Sequence, residues 1–332
     1  MKLNKEDKVK LRIIIEEQLK KVPEGQRLHF DRELLESLLF ETYVEELHER
    51  WCEKEDIGKK IPVKYIVWSG PFLSKIDLSE VSFEDMMWDV EYFANTYFVN
   101  GTKQHYKENE VTSIDLSNTN AKIDFSKSFG FGIKYAVGSD LVDLEVALKN
   151  CTFAGTDLSN NFINYNFFAS CCNFSNTGLK INLNSKCYIN LYKSILSGLD
   201  FAEYTVDERF FGGELNVPHA DKCDLSNTGL RVKTSDIPDY IYSYSKKQNL
   251  TEEQQKEYNS YLLTLENMDR LGKSIKKGYL IGCYVNDKLI LSQEQKQSVR
   301  QEKKEEYVKM KADLYDATIQ SIEQQVSGFG RK

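Results

Sequence analysis

The chain has 332 residues, 41% of them hydrophobic and 29% charged, which is the composition of a folded globular protein rather than a disordered one. The formal net charge is −7, and residues 61–245 contain 23 acidic and 15 basic side chains, a balance of −8. This acidity argues against direct nucleic-acid binding, and the lack of an apolar run of about 18 residues argues against a membrane span.

Residues 1–52 predict a pair of helices. The apolar residues of segment 5–21 repeat with helical spacing, and Pro23-Glu24-Gly25 ends the pattern. Asp31 is a typical N-cap for a second helix, which the pattern extends to about Cys52. Two alternatives stay open for this antiparallel pair: it caps the domain that follows, or it forms a separate binding module.

After a charged linker at 53–60, large apolar residues recur at every fifth position. The series is Trp68, Leu73, Leu78, Phe83, Trp88, Phe93 and Phe98. A helix repeats its apolar residues at a period of about 3.6 and a strand at about 2, so neither explains the series. A five-residue unit with one inward side chain buries no core of its own and must stack on copies of itself. The pattern therefore predicts a solenoid.

The same period returns downstream. Its members there are Phe153, Leu158, Ile163, Phe168, Leu191, Leu196 and Phe201. A longer phrase with Ser-Asn-Thr at its centre also occurs three times, starting at Ile114, Cys172 and Cys223. We interpret the Asn-Thr steps as turns at the corners of each coil, and the small cysteines as inward residues beside a larger one.

These units resemble the pentapeptide-repeat proteins, whose consensus is a small residue, Asp or Asn, Leu or Phe, and two polar residues. The resemblance covers roughly residues 66–235. It implies a right-handed, four-sided β-helix with four units per coil, and we assign this solenoid to residues 61–245. The period breaks at 99–113, 126–150 and 203–221, where loops or bulged coils are expected.

Residues 251–327 predict further helices. Thr251 caps a helix that runs to about Leu271, Gly278–Leu291 forms a short hairpin or a last coil, and Ser292 caps a long helix to about Val326. The long helix has a heptad seam formed by Val308, Ala312, Tyr315, Ile319, Ile322 and Val326. The seam either joins two chains as a homodimer through a coiled coil or packs on the helix at 252–271.

No residue pattern predicts catalysis, a cofactor or a metal site. The four histidines and seven cysteines lack metal-ligand spacing, and no nucleotide-binding or hydrolase motif occurs. His219 is expected on an exposed loop, with a position near Asp207 or Glu208 as the alternative. Of Cys171 and Cys172, one should point inward.

The leading hypothesis is therefore a non-catalytic scaffold for protein–protein interaction. The resemblance adds a second one, because some pentapeptide-repeat proteins are acidic DNA mimics that bind DNA gyrase or topoisomerase and protect or inhibit it. An enzyme with its site in the irregular stretch 203–221 is a third alternative. The free cysteines and the charged N-terminus predict a cytoplasmic protein, with a secreted effector as the open alternative.

Overall fold

The structure is a computed structural model. It describes residues 3–46, 60–88, 113–128, 133–137, 140–144, 146–212, 218–236, 238, 241–244 and 250–329. The chain divides into two compact units, Met1–Leu289 and Ile290–Lys332. The first unit contains a β-solenoid together with helices, and the second unit contains one long helix.

Two helices precede the solenoid. Helix α1 (Lys5–Leu19) is capped by Asn4, and α2 (Arg32–Leu39) is capped by Asp31, whose side chain accepts a hydrogen bond from the backbone of Leu34. The prediction that α2 continues to about Cys52 is wrong. The chain turns at Phe40 into strand β1 (Phe40–Glu46), which pairs antiparallel with β2 (Lys60–Ile66). The aromatic and β-branched residues after Leu39 favour a strand over a helix.

The helical pair packs on the first part of the solenoid. Leu28, between α1 and α2, forms a parallel bridge with Ile76, and its backbone bonds to Lys75 and Asp77. The Lys75 ammonium donates to the carbonyl of Leu19 at 3.1 Å, next to the C-terminal end of α1. Buried leucines of both helices belong to the same core as the solenoid, which leaves one continuous hydrophobic interior.

Short strands from successive turns build the solenoid. In chain order they are β3 (Ile114–Asp115), β4 (Ile133–Val137), β5 (Asp140–Leu144), β6 (Val146–Lys149), β7 (Cys151–Thr152), β8 (Phe162–Ile163), β9 (Phe167–Ser170), β10 (Lys180–Ile181), β11 (Ile189–Asn190), β12 (Thr205–Val206), β13 (Arg231–Val232), β14 (Tyr284–Val285) and β15 (Lys288–Leu289). Parallel ladders join β6, β9 and β11, then β12, β13 and β14, and the pairs β3–β7 and β8–β10. The pairs β4–β5 and β14–β15 are antiparallel.

The five-residue period marks the inside of the solenoid. Its described members are all buried, from Phe168 at 8% exposure to Leu73 and Leu78 at 0%. Aromatic rings stack along the interior, and the Trp88 and Phe153 ring centroids lie 5.4 Å apart. Phe93 and Phe98 lie outside the described residues. The predicted inward positions are confirmed among the described residues except at Phe168, because Phe167 and Ala169, its neighbours in β9, are the residues that belong to the core.

The solenoid does not end at residue 245. Helices α3 (Ile241–Tyr244) and α4 (Glu252–Lys276) intervene, and then the backbone of Leu225 donates to Tyr279 while β14 pairs with β13. The segment that follows α4 is thus both a last coil and the hairpin β14–β15. Helix α5 (Gln293–Phe329) forms the second unit and begins at Ser292, whose hydroxyl accepts from the backbone of Gln295.

Two of the expected irregular stretches contain regular structure. The stretch 126–150 includes the β4–β5 hairpin and β6, and β6 belongs to a parallel ladder, so of the two expected alternatives, a loop or a bulged coil, the loop is wrong at 146–149. The stretch 203–221 includes β12 and a 3₁₀ helix at Glu208–Phe211. Within the described part of the chain, no helix has the length and apolar character needed to cross a membrane.

Candidate functional site

The candidate functional surface is one side of the solenoid, which we call the stacked face. Six segments lie one above another there: 115–119, 152–156, 173–177, 195–199, 224–228 and 279–283. Parallel bridges link Asp115 to Thr152, Thr152 to Asn173, Asn173 to Ile195 and Ile195 to Asp224. Because neighbouring strands lie about 4.8 Å apart, the segments present equivalent side chains at regular steps.

The inner side of the stacked face is fully packed. The second residue of each segment is 0% exposed: Leu116, Phe153, Phe174, Leu196, Leu225 and Leu280. The fifth residue is also buried and is often Thr. The Thr177 hydroxyl donates to the carbonyl of Phe174 at 2.8 Å, and the Thr228 hydroxyl donates to that of Leu225 at 2.8 Å. These bonds satisfy the buried hydroxyls, so the inner wall is fixed without an unpaired polar group at those positions.

The outer side presents Asp or Asn at three of its six levels, whereas the level of segment 195–199 presents Ile195, which is 37% exposed. Asp115, Asn173 and Asp224 turn their side chains back along the backbone, each accepting from the amide two residues later at 2.9–3.0 Å. The residue that contributes that amide is Ser in each case, and the equivalent place in the other three segments is held by Ala154, Ser197 and Ile281. The Asx turns restrain these three side chains, so half of the levels present a polar group in a fixed position.

Asn and Gly alternate along the corner of the stacked face. The column reads Asn118, Gly155, Asn176, Gly198, Asn227 and Gly282, all with positive φ between 55° and 81°. In each Asn–Gly pair the Asn Oδ1 lies closer than 3.0 Å to the point where a Cβ on the glycine would stand. The asparagine side chain therefore occupies the space that the next glycine leaves open.

This alternation explains the phrase that the sequence repeats three times. The Ser-Asn-Thr segments occupy every second level of the stack, and glycine segments occupy the levels between them. The repeated phrase predicts a corner turn, and the positive φ of its Asn confirms the turn. The two-level repeat was not predicted, because the intervening segments share only a glycine and an inner apolar residue at the same places.

The cysteines of the repeat units are buried. Cys151, Cys172 and Cys223 are at most 1% exposed, as predicted for the small inward residues, and Cys171 is exposed. Burial raises the pKa of the Cys223 thiol well above its ordinary value, which keeps it protonated and unreactive. These thiols therefore act as packing residues.

His219 is a core residue and not an exposed one. It is 4% exposed, forms a parallel bridge with Asn190, and its ring lies 5.5 Å from that of Tyr188. The expectation of an exposed loop is wrong because the ladder of β9 and β11 continues into this segment. Glu208 is also buried, but its carboxylate accepts from the backbone and the hydroxyl of Ser235.

Among the residues that the structure describes, no group of three or more His, Cys, Asp and Glu side chains is arranged to hold a metal ion. A scan against protein-family models finds no match for this chain. Searches of curated proteins and of solved structures likewise return no significant match.

Proposed function

We propose that the protein is a non-catalytic scaffold for protein–protein interaction, built on a right-handed, four-sided solenoid of the pentapeptide-repeat type. The observation that carries this proposal is the stacked face: six segments in register, three of which hold an outward Asp or Asn side chain in an Asx turn. A rigid surface of this kind loses little conformational freedom when a partner binds it, and that favours recognition.

The size of the stacked face sets a limit on the interface. Six levels at about 4.8 Å and five residues at about 3.3 Å give a rectangle of roughly 480 Å². A standard interface takes about 800 Å² from each partner. The partner therefore either contacts an adjacent side of the solenoid as well, or it binds one stacked face weakly and reaches higher affinity by binding the stacked face of a second copy of this chain.

Helix α5 would supply that second copy. It forms a unit of its own, and its described apolar side chains Tyr307, Val308 and Met310 are 53–59% exposed. The side chains of Ala312 and of 314–329, which complete the predicted seam, lie outside the described residues. A homodimer through this seam would present two stacked faces to one partner, which raises avidity without any new contact.

The acidic balance of residues 61–245 favours one alternative, a DNA mimic that binds DNA gyrase or topoisomerase. A supercoiling assay separates the two proposals. A change in gyrase activity at micromolar protein supports the mimic, and an unchanged assay supports a different protein partner.

The experiment that tests the scaffold is affinity capture from a bacterial lysate with a blocked stacked face. Ser175→Arg with Ser197→Arg places long side chains on the outer surface without touching the core. Asn184→Arg, at an exposed position off that face, is the matched control. We expect the control to retain the captured partner and the double variant to lose it. Equal capture by both would show that the stacked face is not the binding surface.

A further inference from the structure

A second corner of the solenoid, just before the stacked face, carries two lysines on neighbouring levels. Its column is Asn150, Cys171, Lys193 and Lys222. All four residues have φ between 53° and 59°. Asn tolerates a positive φ better than Lys does, so the turn alone does not select lysine at this corner. We give the name lysine corner to the cluster formed by Tyr192, Lys193, Asp221 and Lys222.

Both lysines reach the same tyrosine. The ammonium nitrogens of Lys193 and Lys222 lie 4.9 Å and 5.1 Å from the centroid of the Tyr192 ring. The Lys222 ammonium also donates to the Tyr192 hydroxyl oxygen at 3.4 Å. Because that oxygen accepts a hydrogen bond from an ammonium, the phenol keeps its own hydrogen for another acceptor. Hydrogen bonding by Lys193 and Lys222 lowers the pKa of Tyr192, which makes its O–H a stronger donor.

One positive charge of the lysine corner lacks a counter-charge. Lys222 Nζ lies 3.4 Å from Asp221 Oδ2, so Lys222 has an ion-pair partner. Lys193 forms no ion pair with a carboxylate in the part of the chain that the structure describes, and contacts the Tyr192 ring instead. The nearby Asp224 carboxylate turns back to the backbone in an Asx turn. Two lysines and one aspartate leave the corner with one net positive charge, within a region that is acidic as a whole.

The lysine corner is accessible to a partner. Lys193 and Lys222 are exposed, and Tyr192 is partly exposed. Ile195 follows on the stacked face, and its side chain is 37% exposed. Tyrosine is enriched at the points of an interface that contribute most of the binding energy, where neighbouring contacts exclude water. The corner thus places two hydrogen-bond donors beside apolar surface.

We propose that the lysine corner binds an acidic side chain of the protein partner, a glutamate or an aspartate. One carboxylate oxygen would accept from the Tyr192 hydroxyl and the other from the Lys193 ammonium, while Lys222 holds the phenol in place. A single carboxylate matches one net positive charge, whereas a phosphate monoester has nearly two negative charges. The inference rests on the proposed scaffold function, since the corner borders the stacked face, and it assigns the partner a chemical class: a protein with an acidic segment at its binding surface.

The first test uses the full chain with the peptide acetyl-hexaglutamate amide as the probe. The hexaglutamine peptide is the neutral control, at the same ionic strength. NMR follows the ring signals of isotope-labelled tyrosine, and Tyr192→Phe identifies the signals of Tyr192. We expect hexaglutamate to shift these signals saturably, with a dissociation constant of about 1 mM, and hexaglutamine to leave them unchanged. Absence of a saturable shift at Tyr192 would overturn the proposal.

A lysine variant locates the site. Lys193→Gln removes the charge without a counter-charge, and we expect the affinity for hexaglutamate to fall about tenfold. Lys180→Gln removes an exposed charge on β10 and is the matched control, which should bind as the unmodified chain does. The signals of the other tyrosines check that both variants are folded. Equal affinity in the two variants would refute the assignment.

Capture from the bacterial lysate separates this inference from the scaffold proposal. Loss of the partner both by Lys193→Gln and by Ser175→Arg with Ser197→Arg would support the lysine corner as part of the interface. A partner that is lost by the double variant but retained by Lys193→Gln would overturn the inference and leave the scaffold in place. Failure of the scaffold itself has a different result, which is equal capture by the double variant and its Asn184→Arg control.

Discussion

Asn118 and Gly155 interlock across neighbouring levels of the solenoid: the amide oxygen of Asn118 fills the place where residue 155 would carry a Cβ. Asn176 with Gly198 and Asn227 with Gly282 repeat the arrangement. All six residues have positive φ. The glycines at this corner are therefore required for two reasons: the backbone is left-handed, and the Asn side chain leaves no space for a Cβ. The two requirements can be separated by mutation.

Gly155→Ala should destabilise the protein by about 2–4 kcal/mol, because it adds left-handed backbone strain to a clash with Asn118. Gly25→Ala is the matched control, since Gly25 has a φ of 80° but no atom within 4 Å of its added Cβ, and it should cost only about 1 kcal/mol. Denaturant unfolding measures both. Removing the Asn118 side chain in an Asn118→Gly, Gly155→Ala variant should recover the clash contribution. Additive effects of the two changes would contradict the interlock.

Asp77 should make the fold sensitive to acid. Its carboxylate accepts from the backbone and hydroxyl of Ser79 and from the Asn120 amide at 2.7 Å, and these bonds hold its pKa far below the ordinary value. The pKa is lower in the folded state, so the stabilisation is present above about pH 4 and is lost as the pH falls further. Asp77→Asn should cost about 1 kcal/mol at pH 7 and flatten the loss of stability below pH 4.

Unfolding temperatures between pH 2.5 and 7 would test this dependence. Glu24→Gln, at an exposed position between α1 and α2, serves as the charge control and should leave the acid profile unchanged. A profile for Asp77→Asn as steep as that of the unmodified chain would show that other groups dominate the acid response.

The buried cysteines should react with a thiol reagent much more slowly than the accessible ones. In a Cys52→Ser background, which removes the one cysteine outside the described residues, Cys171 and Cys187 should react quickly with a thiol reagent. The buried Cys151, Cys172, Cys223 and Cys283 should react only after unfolding, since burial raises the pKa of the last two. Peptide mass spectrometry identifies the modified residues. Rapid modification of Cys172 in the folded protein would contradict the packing.

The position at which the chain is shortened should decide whether the solenoid survives. A chain ending at Leu289 keeps every described residue of the first unit's core and should unfold cooperatively at nearly the temperature of the full chain. A chain ending at Lys277 loses Leu280 and Cys283, both 0% exposed, and should be less stable by at least about 4 kcal/mol. Circular dichroism during heating compares them. Equal stability would mean that segment 279–283 is not part of the folded core.

The sequence predicted most of the inward positions and few of the long-range relationships. Trp68, Leu78 and Phe153 were identified by spacing alone, because one inward side chain per short unit is a local property of the backbone path. The end of α2 was wrong, since the switch to β1 depends on pairing with β2, which is distant in sequence. For the stacked face, the Ser-Asn-Thr segments were recognised, but nothing in the sequence places Gly155 beside Asn118.

The sequence by itself determined the solenoid repeat, the buried cysteines and the corner turns, because each depends on residues within a few positions of one another. Only the tertiary structure decided that the last coil follows α4, that Asn and Gly alternate on successive levels, and that His219 is buried. Those features depend on which segments become neighbours in the stack. Segments 20 to 60 residues apart, such as those of Leu225 and Tyr279, become neighbours through packing and hydrogen bonding between levels. A local sequence pattern does not predict which segments pair in this way.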